Sequence, residues 1–230
     1  MSRISVIVPV LNEAPAIRGA LSSLQPLRQA GHEVIVVDGG SADGTPDIAA
    51  ALADSVLRAP PGRARQMNAG AHRARGDILL FLHGDTLLPR QADRLVMEGL
   101  RRSGRQWGRF DVRLAGRRPL LRLVETLMNL RSRLSGIATG DQAMFVRREA
   151  FTAVGGFPDI ALMEDIALSR RLKSLSRPLC LRARVVTSSR RWEQHGVLRT
   201  IVLMWRLRLA YFLGADPAAL ARRYYGDQPP

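Results

Sequence analysis

The sequence predicts an α/β protein in which helices flank a mixed, mostly parallel sheet. Three short apolar runs carry this prediction: ISVIVPVLNE, VIVVDGGSADGT and DILLFLHGD. Each run is too short for an amphipathic helix and is rich in Val, Ile and Leu, as expected of strands buried on both faces. Stretches with helical periodicity separate these runs, which is the βαβ pattern of a parallel sheet.

The same reasoning predicts the remaining elements in chain order. In the first half they are a helix at 14–27, a helix at 46–53 entered through Thr45 as N-cap, a short strand at 55–58, a basic helix at 62–74, a strand at 77–82 and a helix at 89–102. In the second half they are a half-exposed strand at 110–114, a helix at 119–134 with Leu120, Leu123, Val124, Leu127 and Leu134 on one face, a strand at 142–148, a helix beginning near Glu164, a strand at 179–188 and a helix at 197–213.

Length and composition indicate one folded domain that favours anionic partners. A chain of 230 residues can bury a full core. The net charge is +15, which favours a phosphorylated substrate, an acidic membrane face or nucleic acid. The single Cys180 excludes an intramolecular disulfide and gives no zinc signature. No secretory pattern precedes the first strand, so we expect a cytoplasmic protein.

Polar groups follow the first two strong strands, where ligands bind in parallel sheets. Asp38 is either a turn residue, since Asp-Gly-Gly favours turns, or an acceptor for a base N–H or a ribose hydroxyl. Glycines at 39, 40 and 44 leave room for such a ligand. Asn12 and Glu13 offer similar groups beside it. We therefore expect a pocket for a hydroxyl-rich ligand at this edge.

Asp85 follows the third strong strand and is a candidate ligand for a hard divalent cation that bridges a diphosphate. Its alternative role is to cap the turn after the strand. His83 either ligates the same metal or bonds the ribose. Arg63, at the start of the basic helix, either neutralises phosphate oxygens or belongs to a solvated basic face.

The second half adds candidate catalytic groups. Glu164 and Asp165 open a helix, where acids interact well with the helix dipole, but a carboxylate there can also act as general base. After the last strand, SSRRWEQHG offers side chains that clamp a diphosphate or stack on a sugar ring: Arg190, Arg191 and Trp192. His195 is a candidate metal ligand, although a lone histidine is usually structural.

The ordered motifs resemble the family 2 glycosyltransferases, which have the GT-A (Rossmann-like) fold. They are ISVIVPVLNE, VIVVDGGSADGT, GRARQMNAGA, DILLFLHGDT, GDQAMFVRREAFTAVGGF, LMEDIALSRRL and SSRRW, and they span nearly the whole chain. Within the family the sequence is most similar to a small bacterial subgroup labelled arsenosugar-biosynthesis glycosyltransferases. The resemblance implies an inverting transfer from a UDP- or GDP-sugar to an acceptor hydroxyl, assisted by Mn²⁺ or Mg²⁺.

The resemblance also implies roles for individual residues and regions. Residues 1–105 would bind the nucleotide sugar, and residues 106–230 would form the acceptor half with the C-terminal helices. Asp85 would be the metal-ligating acid of an Asp-x-Asp motif, Asp165 the catalytic base, and Arg191 with Trp192 the end of a Gln-x-x-Arg-Trp motif. Donor and acceptor contacts would come from Pro9, Asn12, Glu13, Asp38, Arg63, His83, Gly140, Asp141 and Glu164. The sequence departs from these motifs at two positions. His83 stands where the first Asp of Asp-x-Asp would be, which weakens the expectation of metal dependence. Ser188 stands where the Gln of Gln-x-x-Arg-Trp would be, which argues against a processive polysaccharide synthase.

Other functions stay open at this point. The segment 197–213 is the most apolar but contains Arg199, Arg206 and Arg208, so we expect a helix on the domain that touches an anionic membrane rather than a span. A lipid-linked acceptor would fit such a contact.

The main alternative to a transferase is a non-catalytic protein whose basic surface binds membrane or nucleic acid. For the transferase we expect no nucleic acid partner. A nucleotidyltransferase would need a Gly-rich loop with Lys after the first strand, which VPVLNEAPAI lacks.

Overall fold

A computed structural model describes residues 2–226, apart from the side chains at positions 191, 194 and 195. Its strands are β1 (Ile4–Val10), β2 (Glu33–Asp38), β3 (Ser55–Arg58), β4 (Ile78–Phe81), β5 (Thr86–Leu87), β6 (Trp107–Leu114), β7 (Phe145–Arg147) and β8 (Leu179–Thr187). Its helices are α1 (Ala14–Ser23), α2 (Gln25–Gln29), α3 (Thr45–Ala50), α4 (Arg63–Arg73), α5 (Ala92–Ser103), α6 (Pro119–Ser135), α7 (Arg148–Ala153), α8 (Glu164–Leu172), α9 (Arg190–His195), α10 (Val197–Phe212) and α11 (Pro217–Tyr225).

The described strands form one sheet in the order β3-β2-β1-β4-β7-β6-β8-β5. Strands β3, β2, β1 and β4 are parallel, as are β6 and β8. Strand β7 runs antiparallel to β4 and β6, and β5 runs antiparallel to β8. The predicted mixed, mostly parallel sheet is therefore confirmed.

Helices cover both faces of the sheet because side chains alternate along each strand. Val6 and Val8 of β1 point into a core with α1, α5 and α6, whereas Ile7 points into a second core with α4 and α8. Strand β1 is fully buried, which explains its continuous apolar sequence. The helix predicted at 14–27 is divided into α1 and α2, and the N-cap of α3 is Gly44 rather than Thr45.

Strand β6 differs from the half-exposed strand that its sequence predicts. It extends from Trp107 to Leu114, and within it only Arg113 is exposed. The polar residues of its alternating pattern are buried, because Arg109 and Asp111 pair with each other and Asp111 also pairs with Arg133 of α6. The half-exposed prediction is therefore wrong: the two ion pairs of Asp111 allow charged residues of β6 to lie inside the protein.

Helix α6 buries polar side chains against β6 and exposes leucines. Asn129 accepts the Val112 N–H at 2.9 Å and donates to the Val112 carbonyl at 3.0 Å, and Glu125 accepts the Leu114 N–H at 3.0 Å. Of the predicted leucine face, Leu123, Leu127 and Leu134 are exposed, whereas Val124 is buried. Leu130, which was not part of that prediction, is exposed as well. In the described part of the chain, none of the helices is both long and apolar enough to cross a membrane.

Candidate active site

A cavity of about 890 Å³ opens at the edge where β1, β4 and β8 end. Most of the residues predicted to form a site line it: Pro9, Glu13, Arg63, His83, Asp85, Asp141, Glu164, Asp165 and Trp192. Of the predicted residues whose side chains are described, Asn12 and Asp38 are not part of this lining. The side chains of Arg191 and His195 lie outside the described part of the structure, so their predicted roles stay predictions.

The sheet topology brings these distant residues together. The carboxyl ends of parallel strands share one edge, so the loops after β1, β4 and β8 meet there. Strand β7 is antiparallel and therefore begins at that same edge, which brings in the 3-10 turn Gly140–Gln142 just before it. Helices α4 and α8 start there too, with Arg63 and Glu164 as their first residues.

Asn12 and Asp38 organise the loops beside the cavity. Asn12 has a positive φ of 54°, donates its backbone N–H to Ser41 Oγ at 2.8 Å, and accepts the Ala42 N–H at 2.9 Å. Asp38 is 1% exposed, and its carboxylate accepts the N–H groups of Gly40 and Ser41. In the described structure Asp38 makes turn contacts and Asn12 bridges two loops, and the role of either residue toward a ligand stays a prediction.

Asp85 lies in the cavity wall close to Arg190. Arg190 Nη2 is 3.5 Å from Asp85 Oδ2 and 2.9 Å from Glu13 Oε2, so one guanidinium joins the loops after β1, β4 and β8. The hydrogen bond to Glu13 raises the pKa of Arg190, which stays protonated. The family resemblance implied that Arg191, rather than Arg190, is the arginine of the Gln-x-x-Arg-Trp motif. No sequence signal distinguishes Arg190 from Arg191. In the structure, Arg190 Nε donates to the Ser188 hydroxyl at 3.2 Å.

A second cluster links His83 to Asp165 through the 3-10 turn. His83 Nδ1 is 3.4 Å from Asp141 Oδ1, and Asp165 Oδ2 accepts the Gly140 N–H at 2.8 Å. Burial would raise the pKa of Asp141, but the hydrogen bond and charge of His83, with Arg63 and Arg208, hold it below its ordinary value. A Cβ at position 140 would lie 2.5 Å from His83 Nε2, so this turn requires glycine.

Glu164 and Asp165 differ in their surroundings. Glu164 is buried, and desolvation together with the negative charge of Asp165 raises its pKa to about 7. Arg63 opposes this shift, and the pKa of Arg63 is raised by Tyr225 and then by Glu164. Asp165 has its two oxygens oriented by the N–H groups of Gly140 and Ile166. The pair therefore offers one oriented carboxylate beside one that is easily protonated.

Sequence reasoning missed Gln66, which is 3% exposed and fixes the floor of the cavity. Its Nε2 donates to the carbonyls of Val10 and Val37, both at 2.8 Å, and so joins the ends of β1 and β2. A Cβ at Gly39 would lie 3.1 Å from this amide. A single glutamine in a basic helix carries no sequence signal for such a role.

The acidic groups of the cavity fit a metal that arrives with a phosphate ligand. Among the described residues, no three or more His, Cys, Asp or Glu side chains cluster as they would around a fully protein-held ion. Mg²⁺ is commonly bound through one or two carboxylates plus substrate phosphates. Asp85 lines the cavity and is partly exposed, so its carboxylate is suited to that shared type of coordination.

Comparison with known proteins identifies relatives of this fold. The chain is 27% identical to the probable glycosyltransferase YdaM of Bacillus subtilis, over 93% of this chain and 55% of that protein. The structure is similar to that of S. aureus TarS, with a TM-score of 0.68, 20% identity, and coverage of 81% of this chain and 36% of that one. It is also similar to the mannosyltransferase PcManGT of Pyrobaculum calidifontis in complex with GDP-Man and Mn²⁺, with a TM-score of 0.66, 24% identity, and coverage of 100% and 66%.

The solved structures establish the fold, and a family model establishes the family. The chain spans about half the length of YdaM, and the solved structures are similar at the level of the fold. The narrower resemblance to the arsenosugar-labelled subgroup stays a prediction. Residues 5–154, which include the first loops of the cavity and most of the sheet, match the family described as Glycosyl transferase family 2. The chain therefore belongs to glycosyl transferase family 2.

Proposed function

We propose that this protein is an inverting glycosyltransferase that moves a sugar from a nucleoside diphosphate sugar to an acceptor hydroxyl. The observation that carries the proposal is the convergence of Asp165, Asp85 and Arg190 on one cavity at the carboxyl edge of the sheet. That edge is where open α/β sheets bind their ligands. Residues 1–105 would hold the donor, and residues 106–230 would supply the acceptor side.

Asp165 is the proposed general base. Its carboxylate is oriented by backbone N–H groups and faces the cavity, so it can accept the proton of an acceptor hydroxyl. The freed oxygen attacks the anomeric carbon in line, and the bond from that carbon to the diphosphate breaks. One displacement inverts the anomeric configuration. His83, Asp141 and Trp192 would position the two sugars.

The diphosphate leaving group would lie between Arg190 and Asp85. The guanidinium of Arg190 supplies positive charge where the leaving oxygen becomes negative. Asp85 would hold Mn²⁺ or Mg²⁺, which neutralises phosphate charge when bound. Arg63 at the start of α4 also lines the cavity and is suited to a phosphate oxygen. Arg191 stays a predicted partner in this role.

A lipid-linked acceptor and contact with an anionic membrane are part of the proposal. The exposed face of α10 carries Leu198, Val202, Trp205, Leu209 and Phe212, and the exposed face of α6 carries four leucines. Both helices line the cavity. An apolar surface on a chain of net charge +15 favours an acidic lipid surface.

The test is hydrolysis and transfer from a panel of UDP- and GDP-sugars, with Mn²⁺ or Mg²⁺ added. We expect Asp165→Asn to lower transfer by about 10²- to 10⁴-fold, since it removes the base. Asp85→Ala should abolish the response to added metal. The control is Asp159→Ala, whose carboxylate pairs with Arg65 outside the cavity lining and should leave turnover intact.

The same panel distinguishes the alternatives. A non-catalytic basic protein would bind membrane or nucleic acid in a salt-dependent way and would be indifferent to Asp165→Asn. A nucleotidyltransferase would release pyrophosphate from a nucleoside triphosphate rather than a nucleoside diphosphate from a sugar donor. Unchanged turnover in both carboxylate variants would contradict the proposal.

A further inference from the structure

Two arginines line the part of the cavity that α6 and α10 build. They are Arg131 of α6 and Arg208 of α10. Both residues are partly buried. Arg131 Nε and Nη2 and Arg208 Nε are buried and lack a partner among the groups the structure describes. Buried guanidinium nitrogens normally have acceptors, so an anion is expected there.

The charges at this place are unbalanced. Burial, and next the positive charge of Arg208, lower the pKa of Arg131 to about 10, so Arg131 is still charged at neutral pH. Asp165 and Asp141 attract Arg131 without pairing with it in the described structure. The arginine pair is therefore within electrostatic reach of the proposed base. A doubly or singly charged oxyanion would relieve the repulsion between the two guanidinium groups.

An apolar rim surrounds this charged pair. Leu127, Leu130, Leu134 and Trp205 line the same cavity and are exposed, with Leu134 at 72% and Trp205 at 69%. The rim continues along both helices, through Leu123 on α6 and Leu209 on α10. A polar ligand would leave this rim in water. A ligand with an anionic head and aliphatic chains would satisfy both the arginines and the rim.

We infer that Arg131 and Arg208 form a phosphate-binding subsite for the head group of an anionic lipid acceptor. The inference rests on the proposed function, and it names the acceptor class: a lipid whose head group bears one phosphate and a hydroxyl. The phosphate binds the two guanidinium groups, and the chains lie on the rim. The hydroxyl oxygen forms the new bond to the anomeric carbon, its proton goes to Asp165, and the nucleoside diphosphate departs with the electron pair of the broken bond.

The chemistry of the rim argues against other occupants. A second copy of this chain would bring another net charge of +15 to a place that already has two unpaired cations. Nucleic acid would satisfy the arginines but would leave the exposed leucines uncovered. An anionic lipid is the ligand class that matches both features.

The test is calorimetric titration of the full chain with three soluble probes. They are dihexanoyl phosphatidylglycerol, dihexanoylglycerol and glycerol 3-phosphate, which separate the phosphate from the chains. We expect the phospholipid to bind at least tenfold more tightly than either of the others. Equal affinity for the uncharged lipid would overturn the phosphate subsite, and equal affinity for glycerol 3-phosphate would overturn the lipid.

Variants locate the site. Arg131→Gln and Arg208→Gln should each weaken the phospholipid affinity about tenfold, the loss expected for a charged hydrogen bond. Arg206→Gln is the matched control, because it removes the same charge from an exposed position of α10 outside the cavity lining. A loss in Arg206→Gln equal to that in the other two would overturn the inference.

Two measurements keep the outcome interpretable. Arg131→Gln removes a buried charge that has no partner in the described residues, so its Tm without ligand should not fall below that of the wild type. A lower Tm would mean that Arg131 is a structural residue, against this inference. Hydrolysis of nucleotide sugars by the wild-type protein is measured separately, and its absence would refute the transferase rather than the anion site.

Discussion

Glu164 is a residue whose protonation is strongly coupled to the fold. Its carboxyl is buried next to Asp165, and its pKa is raised to about 7 from an ordinary value of 4.5. The folded protein therefore binds more protons than the unfolded chain between these two values. The contribution of Glu164 to the free energy of unfolding is fully present below pH 4.5 and is lost as the pH rises through 7.

Glu164→Gln should therefore raise stability at alkaline pH and leave it unchanged in acid. We expect a gain on the order of 2 kcal/mol in the free energy of unfolding at a pH about one unit above 7, and no gain at a pH near 4. Thermal unfolding at the two pH values measures this difference. Glu149→Gln, at an exposed position in the first turn of α7, is the control. A gain of equal size at both pH values would contradict the prediction.

Gly140 positions both His83 and Asp165. Its N–H holds the Asp165 carboxylate, and any Cβ would meet the His83 ring at 2.5 Å. Gly140→Ala should therefore lower sugar transfer by about 10²-fold, since a shift of an ångström in a catalytic group has that effect. The variant should stay folded, because its φ is not in the left-handed region.

Turnover of Gly140→Ala measures the loss of transfer, and circular dichroism checks that the variant is folded. Gly19→Ala is the control, because a Cβ there would have no atom within 4 Å. Full activity of Gly140→Ala would show that the contact between His83 and the turn has no catalytic importance.

Single residues near strand ends were predictable from sequence to different degrees. Asp85 and Asp165 stand out because acids directly follow an apolar strand or begin a helix. Arg190 and Arg191 are adjacent and chemically identical, so only the position of the Arg190 guanidinium between Glu13 and Asp85 identifies its contacts. Gln66 gave no local signal, because its role depends on carbonyls far away in the sequence.

At the level of elements, strands were easier to predict than helix orientation. Strands β1, β2 and β4 are buried on both faces and therefore read as uninterrupted apolar runs. Helix α6 follows only in part the rule that the apolar side of a helix faces the core. Leu121 and Val124 are buried there, but four leucines are exposed. Its Glu125 and Asn129 bond to the backbone of β6, and this edge interaction cannot be inferred from a helical pattern alone.

The exposed leucines of α6 and α10 should determine membrane binding. Leu123→Gln and Leu209→Gln alter the exposed faces without altering the cavity lining. Each should weaken binding to anionic vesicles by roughly fivefold to tenfold, since a leucine side chain gains about 1–2 kcal/mol on leaving water. Thermal stability should be unchanged.

Cosedimentation with vesicles of mixed phosphatidylcholine and phosphatidylglycerol measures the effect. Leu175→Gln is the matched control, because Leu175 is an exposed leucine that belongs to neither helix. Vesicle binding reduced equally by the control, or not reduced by either helix variant, would argue against these faces as the contact.

For the whole molecule, the sheet order determines where the cavity lies, and the net charge affects the stability of the fold. The sheet order places the loops after β1, β4 and β8 at one edge regardless of surface charge. The net charge of +15 adds repulsion between parts of the folded chain. Family-level architecture was predictable because motif order and strand pattern agree. The arrangement of α6 and α10 around the cavity was not, because it depends on contacts between residues far apart in the sequence.

Salt should stabilise this protein against heat. Raising ionic strength from about 0.01 M to about 0.1 M shortens the screening length from roughly 30 Å to 10 Å, and so weakens repulsion among like charges. We expect Tm to rise by a few degrees, as followed by differential scanning calorimetry in NaCl. A series in sucrose is the control for non-ionic effects. A falling Tm would show that attractive ion pairs outweigh the net charge.

The polar side of α6 that packs against β6 also affects how the exposed leucine face of the helix can evolve. Directional bonds from Glu125 and Asn129 to β6 fasten the helix, so its outward leucines contribute little to its attachment. Substitutions of those leucines should therefore change the free energy of unfolding very little. Descendants of this chain can diversify the exterior of α6 while the framework beneath stays constant.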